Sequence, residues 1–226
     1  SHAANMHSDV HHDWSAPEML PEDLPRGWKE NVTRSKGNYT GGGGKMLPIT
    51  ANVLTPNPGG IVRAESWPTS GGAPGSSLQL LREQLLEPFN VERAILMFGS
   101  GQWVGSLTNP YFAAEVARAS NDWCVDQWLS GQDDRLYGSL ILATQMPDVA
   151  AAEIRRLGGH NRIVQALLMS SVVGKPFGHP IYHPIYEAAA EMDIPIAIHA
   201  GGAAYGGTNV APTGGGLPSR TLAPLV

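Results

Sequence analysis

The stretch Ile194-Pro195-Ile196-Ala197-Ile198-His199-Ala200-Gly201-Gly202 reads as a short buried strand that closes on a histidine and a glycine loop. In a (β/α) barrel, metal ligands and catalytic groups stand at the carboxyl ends of parallel strands. The same pattern runs back through the chain. Ile163-Val164-Gln165-Ala166-Leu167-Leu168-Met169, Leu136-Tyr137-Gly138-Ser139-Leu140-Ile141-Leu142 and Glu92-Arg93-Ala94-Ile95-Leu96-Met97-Phe98 are further apolar runs. Near-continuous runs of this kind mark strands buried on both faces, as in a parallel sheet. Helical patterns lie between them. One runs from Leu78 to about Glu87, capped by Ser76-Ser77, with Leu78, Leu81, Leu85 and Leu86 along one side. Asn109-Pro110 opens a helix reaching about Leu129, with proline in its favoured first turn. Pro147 to Leu157 is an alanine-rich helix closed by Gly158-Gly159, and Ile181 to Met192 is another. Strand and helix alternate four times at the spacing of βαβ units. A first strand within residues 1–13 makes five. The expected fold class is α/β, a TIM-type (β/α)8 barrel represented by about its first five βα units. A whole barrel needs eight strands and usually about 250 residues.

Residues 15–77 interrupt the alternation. They carry Gly41-Gly42-Gly43-Gly44, Pro56-Asn57-Pro58-Gly59-Gly60 and Ser70-Gly71-Gly72-Ala73-Pro74-Gly75. Loops this long are uncommon in compact domains unless functional or disordered. Trp28 and Trp67 offer anchors, so the segment reads as an ordered irregular insertion, with a flexible linker as the alternative. The chain is expected to be one barrel domain, 1–226, incomplete at its C-terminus and including this insertion.

Composition narrows the function. A net charge of -5 leaves no basic footprint, so nucleic acid is not an expected partner. The charged fraction of 15% falls below the usual value of about 25%; 27 glycines and 18 prolines show that uncharged loop residues take its place. The one cysteine, Cys124, excludes an internal disulfide and reads as a small apolar residue in a helix. A catalytic thiol would need an electropositive setting that the sequence does not offer. No run approaches the roughly 18 apolar residues of a membrane span, and no signal peptide is expected. The expected location is cytoplasmic, with a small-molecule substrate and no membrane partner. Unpaired strands at an open edge invite association, so a homo-oligomer is expected.

Asp9 and His11 stand two residues apart on a strand and therefore point to one face. If that face is the barrel interior, His199 joins them at the same rim. A carboxylate oxygen with two imidazole nitrogens suits zinc, and sets lacking sulfur also accept manganese or iron. A divalent ion held this way activates water or acts as a Lewis acid. The competing reading is a polar surface segment, because His2, His7, His11 and His12 all crowd the first twelve residues. His179 and His183 flank Pro180-Ile181-Tyr182 on the site side of the fourth strand and are candidate substrate contacts. His160 falls in a turn and is expected to face solvent. Gly99-Ser100-Gly101-Gln102 lacks the G-x-G-x-x-G spacing of a phosphate loop, and no G-x-S-x-G elbow is present.

These residues resemble a known family. Asp9-Val10-His11 is similar to the first-strand ligand motif of the amidohydrolase-related branch of the amidohydrolase superfamily, the aminocarboxymuconate-semialdehyde decarboxylase-like branch. Leu24-Pro25-Arg26-Gly27-Trp28-Lys29-Glu30 resembles a segment that follows it in one subgroup. Leu80-Leu81-Arg82-Glu83-Gln84-Leu85-Leu86 and Val91-Glu92-Arg93-Ala94-Ile95-Leu96 resemble that subgroup's first helix and second strand. The most specific match runs from Gly178-His179-Pro180 through Tyr182-His183-Pro184-Ile185-Tyr186-Glu187-Ala188-Ala189 to Pro195-Ile196-Ala197-Ile198-His199. The resemblance implies a (β/α)8 barrel with one divalent metal, zinc or in some decarboxylases manganese. It assigns Asp9, His11 and His199 as metal ligands. Two departures accompany it. Well-known aromatic decarboxylases of the branch carry Glu or His where this chain has Asp9. The family's aspartate at the end of strand eight and its histidine after strand six have no counterpart among these residues.

The resulting expectation is a metal-dependent hydrolase acting through a metal-activated water on a small aromatic or cyclic substrate. Non-oxidative decarboxylation of an aromatic or unsaturated acid is the alternative. An inactive fragment or scaffold, and a metal-free barrel that only binds a ligand, complete the set.

Overall fold

The structure is a computed structural model that describes residues 5–15, 24–34, 63–99, 104–105, 107, 109–168, 175 and 177–199. Five strands form its sheet: β1 (Met6–His12), β2 (Arg93–Phe98), β3 (Leu136–Ile141), β4 (Ile163–Leu168) and β5 (Ile196–Ile198). Every neighbouring pair is parallel, and the spatial order is the chain order, β1-β2-β3-β4-β5. A doubly wound sheet reverses its order partway; a barrel does not. The monotonic order therefore makes this sheet an arc of a (β/α) barrel.

Register divides the sheet into two faces. Val10 pairs with Leu96, His12 with Phe98, Ala94 with Leu136, Leu96 with Gly138 and Leu140 with Ala166. These residues face the helices. A Cβ on Gly138 would come within 2.8 Å of Leu129 Cδ1 and 3.6 Å of Cys124 Sγ, so only glycine lets the helix approach. The opposite, inner face carries His11 beside Met97, Ser139 beside Gln165, and Leu167 beside Ala197.

The helices form where the sequence caps them. Helix α1 (Arg26–Arg34) and α2 (Leu78–Leu81, widening into a π turn over Arg82–Leu86) precede β2. Ser77 caps α2, its Oγ accepting from Leu80 N at 3.3 Å. Helix α3 (Pro110–Cys124) starts on Asn109, whose Oδ1 accepts from the Tyr111 and Phe112 amides, and runs into a π turn over Val125–Leu129. That wider turn brings Trp128 and Leu129 into the core. Asn121 of α3, 2% exposed, clamps the end of β3: it accepts from Ile141 N at 2.8 Å and donates to Ile141 O at 3.0 Å and to Glu153 Oε1 at 2.7 Å. Helix α4 (Pro147–Leu157) follows β3, and α5 (His183–Glu191) follows β4 after a 3-10 turn over Pro180–Tyr182.

Several expectations change in detail. Helix α1 lies inside a stretch read as irregular; Leu24 is buried before it, and Trp28 packs on Phe112 with ring centroids 5.0 Å apart. Trp28 is thus an anchor, whereas Trp67 is largely exposed. Gly158 closes α4 in right-handed conformation, with φ -61. Its need for glycine is steric, since a Cβ would sit 2.6 Å from Ile154 O and 3.0 Å from Met192 Cβ. Strand β5 begins at Ile196, and Pro195, which has no N–H, contributes only its carbonyl, accepting from Ala166 N at 3.0 Å. His160 is half-buried, its Nδ1 accepting from Arg162 N. Cys124 is buried, as its apolar reading required. Met169, Gly101, Gln102, the glycine- and proline-rich runs at 41–44 and 56–60, and the loop Ala200-Gly201-Gly202 lie outside the described residues. Among those described, no helix is long and apolar enough to cross a membrane.

Candidate metal centre

Strands β1 and β5 are the two edges of the sheet. Laid flat at about 4.8 Å per strand, they would stand about 19 Å apart. Yet Asp9 Oδ1 on β1 lies 3.5 Å from Nε2 of His199, the residue following β5. Only a strongly curled sheet brings these edges together, and the curl builds the site.

Each side chain is placed by ordinary backbone rules. A register irregularity between His7 and Val10 precedes the pairing of His11 with Met97. Asp9 and His11, two apart, share the inner face as the sequence predicts. His199 is held by its own amide, which donates to Leu168 O at 3.1 Å and extends the β4–β5 ladder by one residue. Asp9 Oδ1 is 3.0 Å from His11 Nε2, and the two imidazole centroids are 5.4 Å apart. One ligand atom from each of the three residues falls within a 4.8 Å sphere of mutual distances.

The set fits a divalent cation. Bonds of about 2.1 Å place neighbouring ligands about 3.0 to 3.5 Å apart; the two Asp9–imidazole distances fall at those values, and the two imidazoles bring their ligand atoms within 4.8 Å of each other. One carboxylate and two imidazoles leave other coordination positions open to water or substrate, as catalytic sites require. Burial holds the His11 imidazole below its ordinary value; Asp9 opposes this and His199 adds to it. The neutral ring is the form that ligates. Side-chain exposure runs from 62% at Asp9 through 44% at His11 to 18% at His199, so the open side of the site is the β1 side.

His12 corrects the reading of a uniformly polar N-terminal segment. It is 1% exposed and points to the helix side, stacked on Trp123 at 5.5 Å and 9° and edge-on to Trp128 at 5.1 Å. Burial pushes its imidazole down to about 3. Among the described residues neither ring nitrogen has a partner at ordinary hydrogen-bond geometry, and the Met97 backbone only partly offsets the effect of burial. A signal did exist in the sequence: residues 11 and 12 of a strand must point to opposite faces. What the sequence withheld was the aromatic nest of Phe98, Trp123 and Trp128.

Among the described residues, the other histidines stand apart from the Asp9–His11–His199 cluster. His179 spends Nδ1 on capping the 3-10 turn, accepting from Ile181 N at 3.2 Å. His183 opens α5 and is exposed. Gln165 was hidden in an apolar run; it donates to Ser139 Oγ at 2.9 Å and forms a polar pair on the inner face.

Comparison with known proteins gives one family model, Amidohydrolase, matching residues 9–225. No curated protein matches. Among solved structures, the chain is similar to 5-carboxyvanillate decarboxylase from Novosphingobium aromaticivorans DSM 12444, solved with manganese and 4-hydroxy-3-methoxy-5-nitrobenzoic acid. The TM-score is 0.61 at 18% identity, covering 88% of this chain and 50% of that one. It is also similar to dihydroxybenzoic acid decarboxylase from Polaromonas sp. JS666, solved with manganese and 2-nitroresorcinol, with TM-score 0.55 at 20% identity and coverage of 87% and 49%. A third is 2,6-dihydroxybenzoate decarboxylase from Rhizobium, with TM-score 0.53 at 18% identity and coverage of 87% and 50%. At these identities the likeness is one of fold, and the chain spans about half the length of each. The family match begins at Asp9, the first residue of the cluster, and includes the other two. The chain belongs to the Amidohydrolase family of enzymes.

Proposed function

We propose that this chain supplies the first half of the barrel, and three metal ligands, to a metal-dependent carboxy-lyase acting on a small aromatic acid. The observation that carries the proposal is the convergence of Asp9, His11 and His199 at the strand ends. The named activities of the structural neighbours favour decarboxylation over the hydrolytic reading that the sequence put first.

A divalent cation held there supplies positive charge that draws in a substrate carboxylate and an adjacent oxygen. The protein's own part is placement. Asp9 Oδ1 stands 3.0 Å from His11 Nε2 and 3.5 Å from His199 Nε2, so one carboxylate oxygen and two ring nitrogens face a common point. The lowered His11 keeps its lone pair available at neutral pH. His179, which caps the 3-10 turn after β4, and His183, which opens α5, are proposed to meet the substrate. Manganese and zinc both suit the donor set, and the neighbours were solved with manganese.

Hydrolysis of a small cyclic substrate is the second reading, favoured by the family description. Incubation of the manganese-loaded protein with a panel of hydroxybenzoic acids, with carbon dioxide measured, separates the two. Release from at least one acid, lost on His199→Ala, is the expected result. No release across the panel, with hydrolysis of a cyclic amide or lactone instead, overturns the carboxy-lyase reading.

A further inference from the structure

The chain leaves the mouth of β1 at Asp13 and returns to the same point some sixty residues later. The return is made by a tight turn, Ala73-Pro74-Gly75-Ser76, closed by Ser76 N donating to Ala73 O at 3.1 Å. Proline second and a positive-φ glycine third is the signature of a type II turn, and Gly75 has φ +81. The turn is joined to β1 by Asp13 N, which donates to Gly75 O at 3.1 Å.

Strand alternation says which edge the turn occupies. The His12 carbonyl points to β2 and accepts from Gly99 N at 2.8 Å. The His11 carbonyl and the Asp13 amide therefore point away from β2, towards Gly75. The contact is close. A Cβ on Gly75 would stand 2.7 Å from His11 O, 3.4 Å from His12 Cα and 3.5 Å from His11 C. All three obstructing atoms are backbone, so a side chain at 75 could be relieved only by moving the turn or the end of β1.

We propose that Gly75 is a positioning residue for the metal centre: the turn bearing it buttresses the backbone of His11 and so sets where the His11 imidazole stands relative to Asp9 and His199. The inference rests on the reading of those three residues as metal ligands. It extends the site to a second, remote segment of sequence, which meets His11 at its backbone. Groups that orient metal ligands typically change affinity by about 10- to 100-fold when disturbed.

Gly71 provides the control. It has φ +89, and a Cβ there meets nothing within 4 Å. Gly71→Ala therefore carries the backbone strain of a positive φ without the contact at His11. The experiment is calorimetric titration of the purified chain with zinc and with manganese, for wild type, Gly75→Ala and Gly71→Ala, alongside thermal unfolding. The expected result is that both variants lose some thermal stability, while only Gly75→Ala loses about tenfold or more in metal affinity. Equal affinity of wild type and Gly75→Ala overturns the inference and leaves the ligand reading intact. A wild-type chain that takes up neither metal overturns the ligand reading, and the inference falls with it. If Gly75→Ala does not fold, amide exchange of the wild type decides, because coupling between two sites is reciprocal. Zinc should then slow exchange of the Asp13 amide, which donates to Gly75 O, and leave the Ala113 amide of α3 unchanged. An Asp13 amide indifferent to zinc overturns the inference.

Discussion

Replacing His12 with phenylalanine tests the aromatic nest behind the Asp9–His11–His199 cluster through the pH dependence of folding. In the folded chain the His12 imidazole is 1% exposed and titrates at about 3 instead of 6.5. The unfolded chain takes up a proton near 6.5, whereas the folded chain refuses it until far lower pH. Stability is therefore full above pH 6.5 and declines as pH falls towards 3. At about 1.4 kcal/mol per pH unit, the whole window is worth about 5 kcal/mol, and the part between pH 6.5 and 4.5 about 3 kcal/mol. Phenylalanine keeps a flat ring against Trp123 and removes both unpartnered nitrogens, so His12→Phe should be at least as stable as wild type at pH 7. Urea unfolding followed by circular dichroism at pH 7 and 4.5 gives the comparison. Wild type should lose about 3 kcal/mol more than the variant between those two values. Equal losses would refute the placement of His12 as a neutral, buried ring.

Two further outcomes test the surrounding core. Asn121→Ala strips partners from the Ile141 amide and carbonyl and from Glu153, and should cost about 3 to 5 kcal/mol, lowering Tm by about 10 °C; a loss under about 1 kcal/mol would mean the clamp on β3 is absent. Burial pushes the Cys124 thiol up to about 12, so it should resist a disulfide-exchange reagent at pH 8 until the chain is unfolded; prompt reaction of the native chain would contradict its burial.

Much of the barrel arc is legible in the residues themselves. The apolar runs ending at Phe98, Leu142 and Met169 hold β2, β3 and β4 because parallel sheets bury both faces, and Asn109-Pro110 writes the start of α3 in capping chemistry. Asp9 and His11 share a face by strand periodicity alone, while their meeting with His199 depends on the curl of a sheet whose edges are nearly 190 residues apart. Other features depend on partners that local pattern does not reveal. His12 reads like its polar neighbours until Trp123 and Trp128 close over it. Among the described residues, Leu24 and Trp28 are the buried or packed apolar groups at helix α1, and Trp28 finds its partner in Phe112 of a distant helix. The Gly75 turn is spelled out by Pro74-Gly75, but its contact with His11 is purely tertiary.

The central claim is that Asp9, His11 and His199 form one metal centre, and the most direct measurement is metal content after reconstitution. The purified chain is loaded with manganese or zinc at pH 7.5, desalted and assayed by elemental analysis, together with His11→Ala and His199→Ala. About one equivalent is expected in wild type, with a large loss in each variant. A chain that holds no metal, or one that keeps its full equivalent without His11 and His199, would contradict it.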